Sequence, residues 1–130
     1  MAGAEQNAID QVNYQRSLYG LARYARDETL MQIARSRSAD MANRGYFGHA
    51  DPATGIDLGR TQMLGAGFGR AGENIFRTGG GLASVALQAV AWFMTDAIHR
   101  DNVLHPAYTS IGAGIAADGP YWVLTLCFAG

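Results

Sequence analysis

The chain has 130 residues, of which 48% are hydrophobic and 16% are charged. This composition excludes a disordered tail or a coiled-coil rod, and the length predicts a single domain over residues 1–130. The formal net charge of -1 predicts no nucleic-acid partner, because nucleic-acid-binding domains carry a strong basic excess. No apolar run is long enough for a membrane span, and the single cysteine, Cys127, excludes an internal disulfide.

Helical patterns fill the first half of the chain. Apolar residues recur at three- and four-residue steps over residues 4–21, which predicts a first helix. A second helix begins at the N-cap Asp27 and ends near Arg44, before Gly45. A short third helix is predicted over residues 57–64. The predicted inner face of the second helix comprises Leu30, Ile33, Ala34, Arg37, Ser38 and Met41.

The second half ends in strands. Residues 82–96 are almost wholly apolar and too numerous for one strand, which predicts a buried helix. Residues 111–117 and 121–129 favour strands, and the Asp118-Gly119-Pro120 segment between them is typical of a hairpin turn. Helices followed by strands, without alternation, predict an α+β domain with an antiparallel sheet.

Several features are interpreted as structural. Residues 67–72 match GxGxxG but lack the strand, helix and distant acid of a nucleotide site, so they indicate a tight loop. Cys127 lies in an apolar strand, whereas a catalytic thiolate needs an electropositive, partly exposed setting. His105 is interpreted as a solvated loop residue, and Glu5 and Glu28 as members of solvated helix faces.

The candidate site consists of His49, Glu73 and His99. Glu73 lies among glycine and apolar neighbours, a poor place for a carboxylate without a partner. Two imidazoles and one carboxylate are sufficient ligands for a divalent metal with an open position. The alternative is a His–Glu hydrogen-bond network that holds loops to the core.

Three blocks, in chain order, resemble the CAP superfamily of cysteine-rich secretory, antigen 5 and pathogenesis-related proteins. They are YFGHADPATG, AGENIF and AWFMTDAIHRDNVLHPAYTSIGAGI. The preceding phrase LMQIARSRSADMANRGYFGH and the final YWVLTLCFA extend the resemblance over roughly residues 8–129. The family's disulfides are missing, so the chain resembles a minimal, bacterial-type member.

The resemblance assigns the family's cavity residues to positions in this sequence. The two cavity histidines match His49 and His99, and the first cavity glutamate matches Glu73. The family's second acid matches Thr95, which is not an acid, and Asp96 follows one position later. The tetrad is therefore a triad here, and the resemblance implies a metal site formed by His49, Glu73 and His99.

The resemblance also implies the architecture and the cellular setting. It implies an α-β-α sandwich with a central antiparallel sheet flanked by helices, and a cleft that holds the His/Glu cluster. Family members are mostly secreted or extracytoplasmic, which implies a secreted or periplasmic location, although no signal peptide is recognised at the start of this sequence. Some members bind a divalent metal, usually zinc, and others bind sterols or fatty-acid-like lipids.

Three functions follow as hypotheses. The first is a non-enzymatic extracytoplasmic domain whose cleft binds a divalent metal and a small or lipid-like ligand, with no catalytic residue. The second is a metal-dependent hydrolase, which needs a separate base such as Asp51 or Asp96. The third is a structural or adhesion module in which the His/Glu cluster only stabilises the fold. The sequence predicts no oligomeric state.

Overall fold

The computed structural model of the chain describes all residues, 1–130, in five helices and four strands. The helices are α1 (Ala2–Leu18), α2 (Glu28–Arg44), α3 (Leu58–Gly65), α4 (Val85–Phe93) and α5 (Ala97–Val103). The strands are β1 (Ala25–Arg26), β2 (Ala71–Gly79), β3 (Ser110–Asp118) and β4 (Tyr121–Ala129). No single helix combines the length and the hydropathy needed to cross a bilayer.

The strands form one sheet in the order β1-β3-β4-β2. β3 and β4 make the predicted hairpin, in which Ser110 pairs with Ala129 and Asp118 pairs with Tyr121. β2 runs antiparallel along the other side of β4, beginning with Ala71 opposite Ala129. The two-residue β1 lies parallel to β3. The three long strands are therefore antiparallel as predicted, the short one makes the sheet mixed, and β2 forms an edge.

Helices cover both faces of this sheet. α2 and α3 pack on one face, and α1, α4 and α5 pack on the other. The larger core cluster, of 17 buried hydrophobic residues, joins α1 and α4 to the sheet. A smaller cluster of 6 joins α2 and α3 to β2 and β4. The predicted α-β-α sandwich is confirmed.

Helix ends follow the predicted signals. The side chain of Asp27 accepts a hydrogen bond from the Leu30 N–H (2.9 Å) at the start of α2. Gly45 ends α2 in the left-handed region at φ 67°. Asp57 caps α3 through the Arg60 N–H (3.2 Å). These caps fix the residues at which α2 ends and α3 begins. The loop between the two helices contains His49 of the candidate site.

The helix predicted over residues 82–96 is present but shorter, since α4 spans only Val85–Phe93. A 3₁₀ turn at Leu82–Ser84 precedes α4, and α4 and α5 are separate helices with axes bent by 111°. Asp96 starts α5 by accepting a hydrogen bond from the His99 N–H (3.3 Å). α4 is also only half buried, since Leu87 is 59% exposed and Trp92 is 45% exposed.

Two residues predicted to be solvated are not. Glu5 is 2% exposed, and its carboxylate accepts hydrogen bonds from the Ile115 N–H (3.0 Å) and from Arg35 (2.8 Å). This contact exists because β1 covers only the start of β3, which leaves the Ile115 N–H without a strand partner. His105 is half-buried and stacks on Tyr108 with ring centroids 4.2 Å apart.

α2 approaches β3 most closely over two glycines. A Cβ at Gly112 would overlap the backbone of α2 at Leu30, and one at Gly114 would overlap it at Ala34 and Arg35. Backbone atoms cannot move aside as the end of a flexible side chain can. The two glycines therefore set the distance between α2 and the sheet.

We expect Gly114→Ala to lower the free energy of unfolding by about 2–4 kcal/mol, because α2 must shift away from the sheet. Urea denaturation measures the change. The matched control is Gly3→Ala at an exposed position in the first turn of α1, where a Cβ meets no atom within 4 Å. This control should be neutral or stabilising by about 0.5–1 kcal/mol. Equal stabilities for the two variants would contradict the close packing.

Candidate functional site

The candidate site is built on the edge strand β2, where successive side chains point to opposite faces of the sheet. Glu73 faces α2, where it contacts Arg37. Asn74 faces α5, where its side chain donates a hydrogen bond to the backbone carbonyl of His99 (2.9 Å). The Glu73 side chain therefore lies on one face of β2, and the backbone of His99 packs against the other face.

Arg37 and Glu73 form a buried ion pair. Arg37 Nε lies 2.9 Å from Glu73 Oε2, and the two side chains are 0% and 4% exposed. The guanidinium also donates to the Tyr46 hydroxyl (2.7 Å) and to the Gly48 carbonyl (2.7 Å). A buried ion pair is stable only when further hydrogen bonds satisfy its polar atoms, and Arg37 has a partner at each nitrogen. Arg37 thus holds both Glu73 and the loop that leads to His49.

Glu73 is enclosed from a third side by α3. At Gly59, in the first turn of that helix, an added Cβ would overlap the Glu73 carboxylate. The absence of a side chain at Gly59 is therefore what allows α3 to lie against the ion pair.

His49 is held by Glu73. The imidazole Nδ1 lies 2.7 Å from Glu73 Oε1, and the His49 side chain is 45% exposed. The hydrogen bond to Glu73 and the negative charge of its carboxylate raise the pKa of His49, against the opposing effect of burial. When Nδ1–H donates to the carboxylate, neutral His49 presents Nε2 as a free acceptor.

A cleft of about 270 Å³ opens beside this pair at the β2 edge. It is slightly smaller than ordinary small-molecule pockets, which begin at roughly 300 Å³. No serine, threonine or cysteine lines it. Its lining residues are His49, Asp57, Arg60, Ala71, Gly72, Glu73, Asn102 and Tyr108.

His99 has different surroundings. Its Nδ1 lies 2.5 Å from Asp96 Oδ2, and its ring stacks on Phe93 with centroids 5.4 Å apart and meets Trp92 at 4.8 Å. His99 does not line the cleft, and no three His, Cys, Asp or Glu side chains are grouped as a metal site. The structure thus brings His49 and Glu73 together and places His99 in an aromatic setting.

The two candidate bases have other partners. Asp51 pairs with Arg44 (2.9 Å) and accepts hydrogen bonds from the amides of its own loop, and these contacts lower the pKa of Asp51 to about 2. Asp96 caps α5 and bonds to His99, which lowers the pKa of Asp96. Thr95 donates to the Trp92 carbonyl. None of these three side chains lines the cleft.

Cys127 is fully buried, as predicted, and burial raises the pKa of its thiol. The residues that the sequence analysis missed are the cleft-lining Arg60, Asn102 and Tyr108, and the role of Arg37. A signal for Arg37 existed, because an arginine on a predicted inner helix face requires a buried acid. Glu73 had independently been predicted to need a partner.

The model of the cysteine-rich secretory protein family, or CAP family, matches residues 9–128. The chain belongs to the CAP family. The match confirms the family resemblance carried by the three sequence blocks, over almost the same residues.

Individual relatives agree with this assignment. The chain is 33% identical over 118 residues to the uncharacterized protein YkwD of Bacillus subtilis, covering 91% of this chain and 44% of that protein. An extracellular protein containing an SCP domain from Bacillus anthracis matches with a TM-score of 0.83 at 30% identity, covering 98% of this chain and 40% of that one. The chain thus spans less than half the length of both relatives.

An outer surface protein from Borrelia burgdorferi also has this fold. It matches with a TM-score of 0.78 at 14% identity, covering 93% of this chain and 87% of that one. At this identity the likeness shows the fold alone.

We expect Glu73→Ala to destabilise metal-stripped protein by about 3–5 kcal/mol, because it leaves the buried Arg37 guanidinium without its anion. Urea denaturation is the measurement. The control, Glu28→Ala, removes an ion pair whose side chains are 35% and 70% exposed. It should cost less than about 1 kcal/mol. A melting temperature for Glu73→Ala within about a degree of wild type would show that Glu73 is solvated.

The raised pKa of His49 predicts a pH-dependent contribution to stability. The contribution should be fully present below the ordinary pKa of 6.5 and lost as pH rises through the higher folded value. The melting-temperature difference between wild type and His49→Gln should therefore be larger at about pH 5.5 than at about pH 8.5. His105→Gln is the control. A difference independent of pH would contradict the His49–Glu73 contact.

Proposed function

We propose that this CAP domain is a non-enzymatic, extracytoplasmic binding domain whose cleft at the β2 edge receives a small ligand. The observation that carries the proposal is the full engagement of Glu73, whose two oxygens face Arg37 and His49. A carboxylate held in this way shapes the cleft and is not free to act as a base. The cleft also lacks a serine, threonine or cysteine nucleophile. The description of the Bacillus anthracis relative as extracellular supports a secreted or periplasmic location.

A divalent metal, zinc above all, is the first ligand we propose. Glu73 fits poorly as a direct ligand, because the ion would lie beside the buried positive charge of Arg37. His49 fits better, because its Nδ1 lies on a carboxylate and its Nε2 is left as a free acceptor, whereas His99 makes the same kind of contact with Asp96 but does not line the cleft. Such carboxylate–histidine pairs are typical of zinc-binding histidines. In this proposal Glu73 orients His49, and the zinc titration tests whether the two imidazoles share one ion.

A structural or adhesion module is the second candidate. The ion pair of Arg37 and Glu73 and its extension to His49 tie α2, β2 and the loop between α2 and α3 together, which favours an architectural role for the cluster. The hydrolase hypothesis has less support, because Asp51 and Asp96 are engaged away from the cleft.

Calorimetric zinc titration of the metal-stripped protein at about pH 7.5 tests the proposal, since neutral imidazole is the ligand form there. We expect one-to-one binding of micromolar strength or tighter in wild type. The double variant His49→Ala/His99→Ala should lose it. His105→Ala, which removes the third histidine of the chain, should bind as wild type does.

The other outcomes separate the candidates. Absence of binding heat, or binding unchanged in the double variant, would rule out the metal site. If His49→Ala then lowers the melting temperature equally with and without zinc, the cluster is architectural and the second candidate replaces the first.

A further inference from the structure

One arginine that lines the cleft, and another next to a lining residue in the chain, have no partner. Of the ten arginines in the chain, six donate hydrogen bonds to carboxylates or carbonyls through their guanidinium groups. The other four form neither hydrogen bonds nor ion pairs through those groups, namely Arg23, Arg60, Arg70 and Arg100. Arg60 lines the cleft, and the charges of Arg60 and Arg70 both act on Tyr108, another cleft residue. Two of the four unpaired arginines therefore belong to the segments that form the cleft, since Arg60 lines it and Arg70 directly precedes the lining residue Ala71.

Gly72, which has no side chain, lines the cleft with its backbone. A Cβ there would lie 2.7 Å from Tyr108 Oη and 2.8 Å from Asn102 Oδ1. The Asn102 amide nitrogen already donates to Asn74 Oδ1 (2.8 Å), whereas the Tyr108 hydroxyl has no hydrogen-bond partner in the protein. The cleft thus offers one free neutral donor, the Tyr108 O–H, in the same lining as the unpaired Arg60.

The acidic residues of the cleft do not cancel this positive charge. Glu73 is neutralised by Arg37. Asp57 caps α3 and is the one lining carboxylate without a cationic partner. The two positive charges of Arg60 and Arg70 therefore exceed the single negative charge of Asp57. Burial raises the pKa of Tyr108, and the charges of Arg60 and Arg70 oppose this increase.

We propose that the cleft selects anionic ligands and seats a phosphate or carboxylate group between Arg60, Arg70 and the Tyr108 hydroxyl. This inference rests on the proposed function, since it assigns a ligand class to the same cleft. Guanidinium groups bind both anions through charge-assisted hydrogen bonds. A volume of about 270 Å³ admits the anionic group with a small organic remainder.

The test is a titration of metal-stripped protein with inorganic phosphate and with acetate, followed by amide chemical shifts at low ionic strength. We expect saturable shifts at Gly72 and its neighbours. Arg60→Gln and Arg70→Gln should each weaken binding roughly five- to tenfold, the loss expected for one charge-assisted contact. The matched control is Arg23→Gln, which removes an equally unpaired arginine outside the cleft and should change nothing.

Acetamide, the neutral analogue of acetate, separates this inference from the proposed function. If acetamide binds as well as acetate and Arg60→Gln has no effect, the cleft binds small molecules without selecting charge, and only the anion site is overturned. If no probe gives a saturable shift up to about 100 mM, a range that covers very weak binding, the anion site is overturned, and the zinc titration decides the proposed function separately.

A short-chain phosphatidic acid, used below its micelle concentration, distinguishes the two sources of a phosphate group. Binding tighter than that of inorganic phosphate, and still dependent on Arg60, would assign the site to a lipid headgroup. Equal binding would assign it to a free phosphate compound. Both results support the anion site, whereas binding independent of Arg60 and Arg70 would overturn it.

Discussion

The buried contact between Arg37 and Glu73 is the constraint on which the cleft depends. Removing two charges from water costs several kcal/mol for each ion, and only a complete set of hydrogen bonds offsets that cost. The set here includes the Tyr46 hydroxyl, the Gly48 carbonyl and the His49 imidazole. The loop between α2 and α3 is consequently part of the ion pair's coordination and cannot move without exposing the charge.

Four glycines make this arrangement possible, because they have no side chain. Gly59 lets α3 lie on the Glu73 carboxylate, Gly72 lets the Tyr108 and Asn102 side chains approach β2, and Gly112 and Gly114 let α2 lie on β3. At all four positions the added Cβ would come within 3 Å of a neighbouring atom. The distances between the layers, and hence the position of Arg37 relative to Glu73, follow from these close approaches. The cleft is therefore a product of layer packing as much as of its lining residues.

Local signals in the sequence were sufficient for the caps, the hairpin and the need of Glu73 for a partner. Asp27, Gly45 and Asp57 act through hydrogen bonds or backbone angles within their own segments. The burial of Glu5 was not predictable in this way, because it depends on β1 stopping short of Ile115. Such a contact arises only when distant segments meet.

The candidate site was likewise predictable only in part from the sequence. The family resemblance located His49, Glu73 and His99, and the structure joins only the first two directly. The separation of His99 follows from strand alternation at Glu73 and Asn74 together with the start of α5 at Asp96. The short α5 was not predicted, because its only local signal is one capping aspartate, Asp96.

The buried Glu5 has a consequence for the solubility of the domain. The Glu5 carboxylate, in the first turn of α1, accepts the hydrogen bond from the Ile115 N–H that a neighbouring strand would otherwise accept. β1 pairs only with Ser110 and Ile111 and does not reach this part of β3. An open strand edge is a template for pairing with other chains. Fraying of that single helical turn would uncover such an edge. Order in this helical turn therefore protects the β3 edge, which lies on the opposite side of the sheet from the edge strand that bears the cleft.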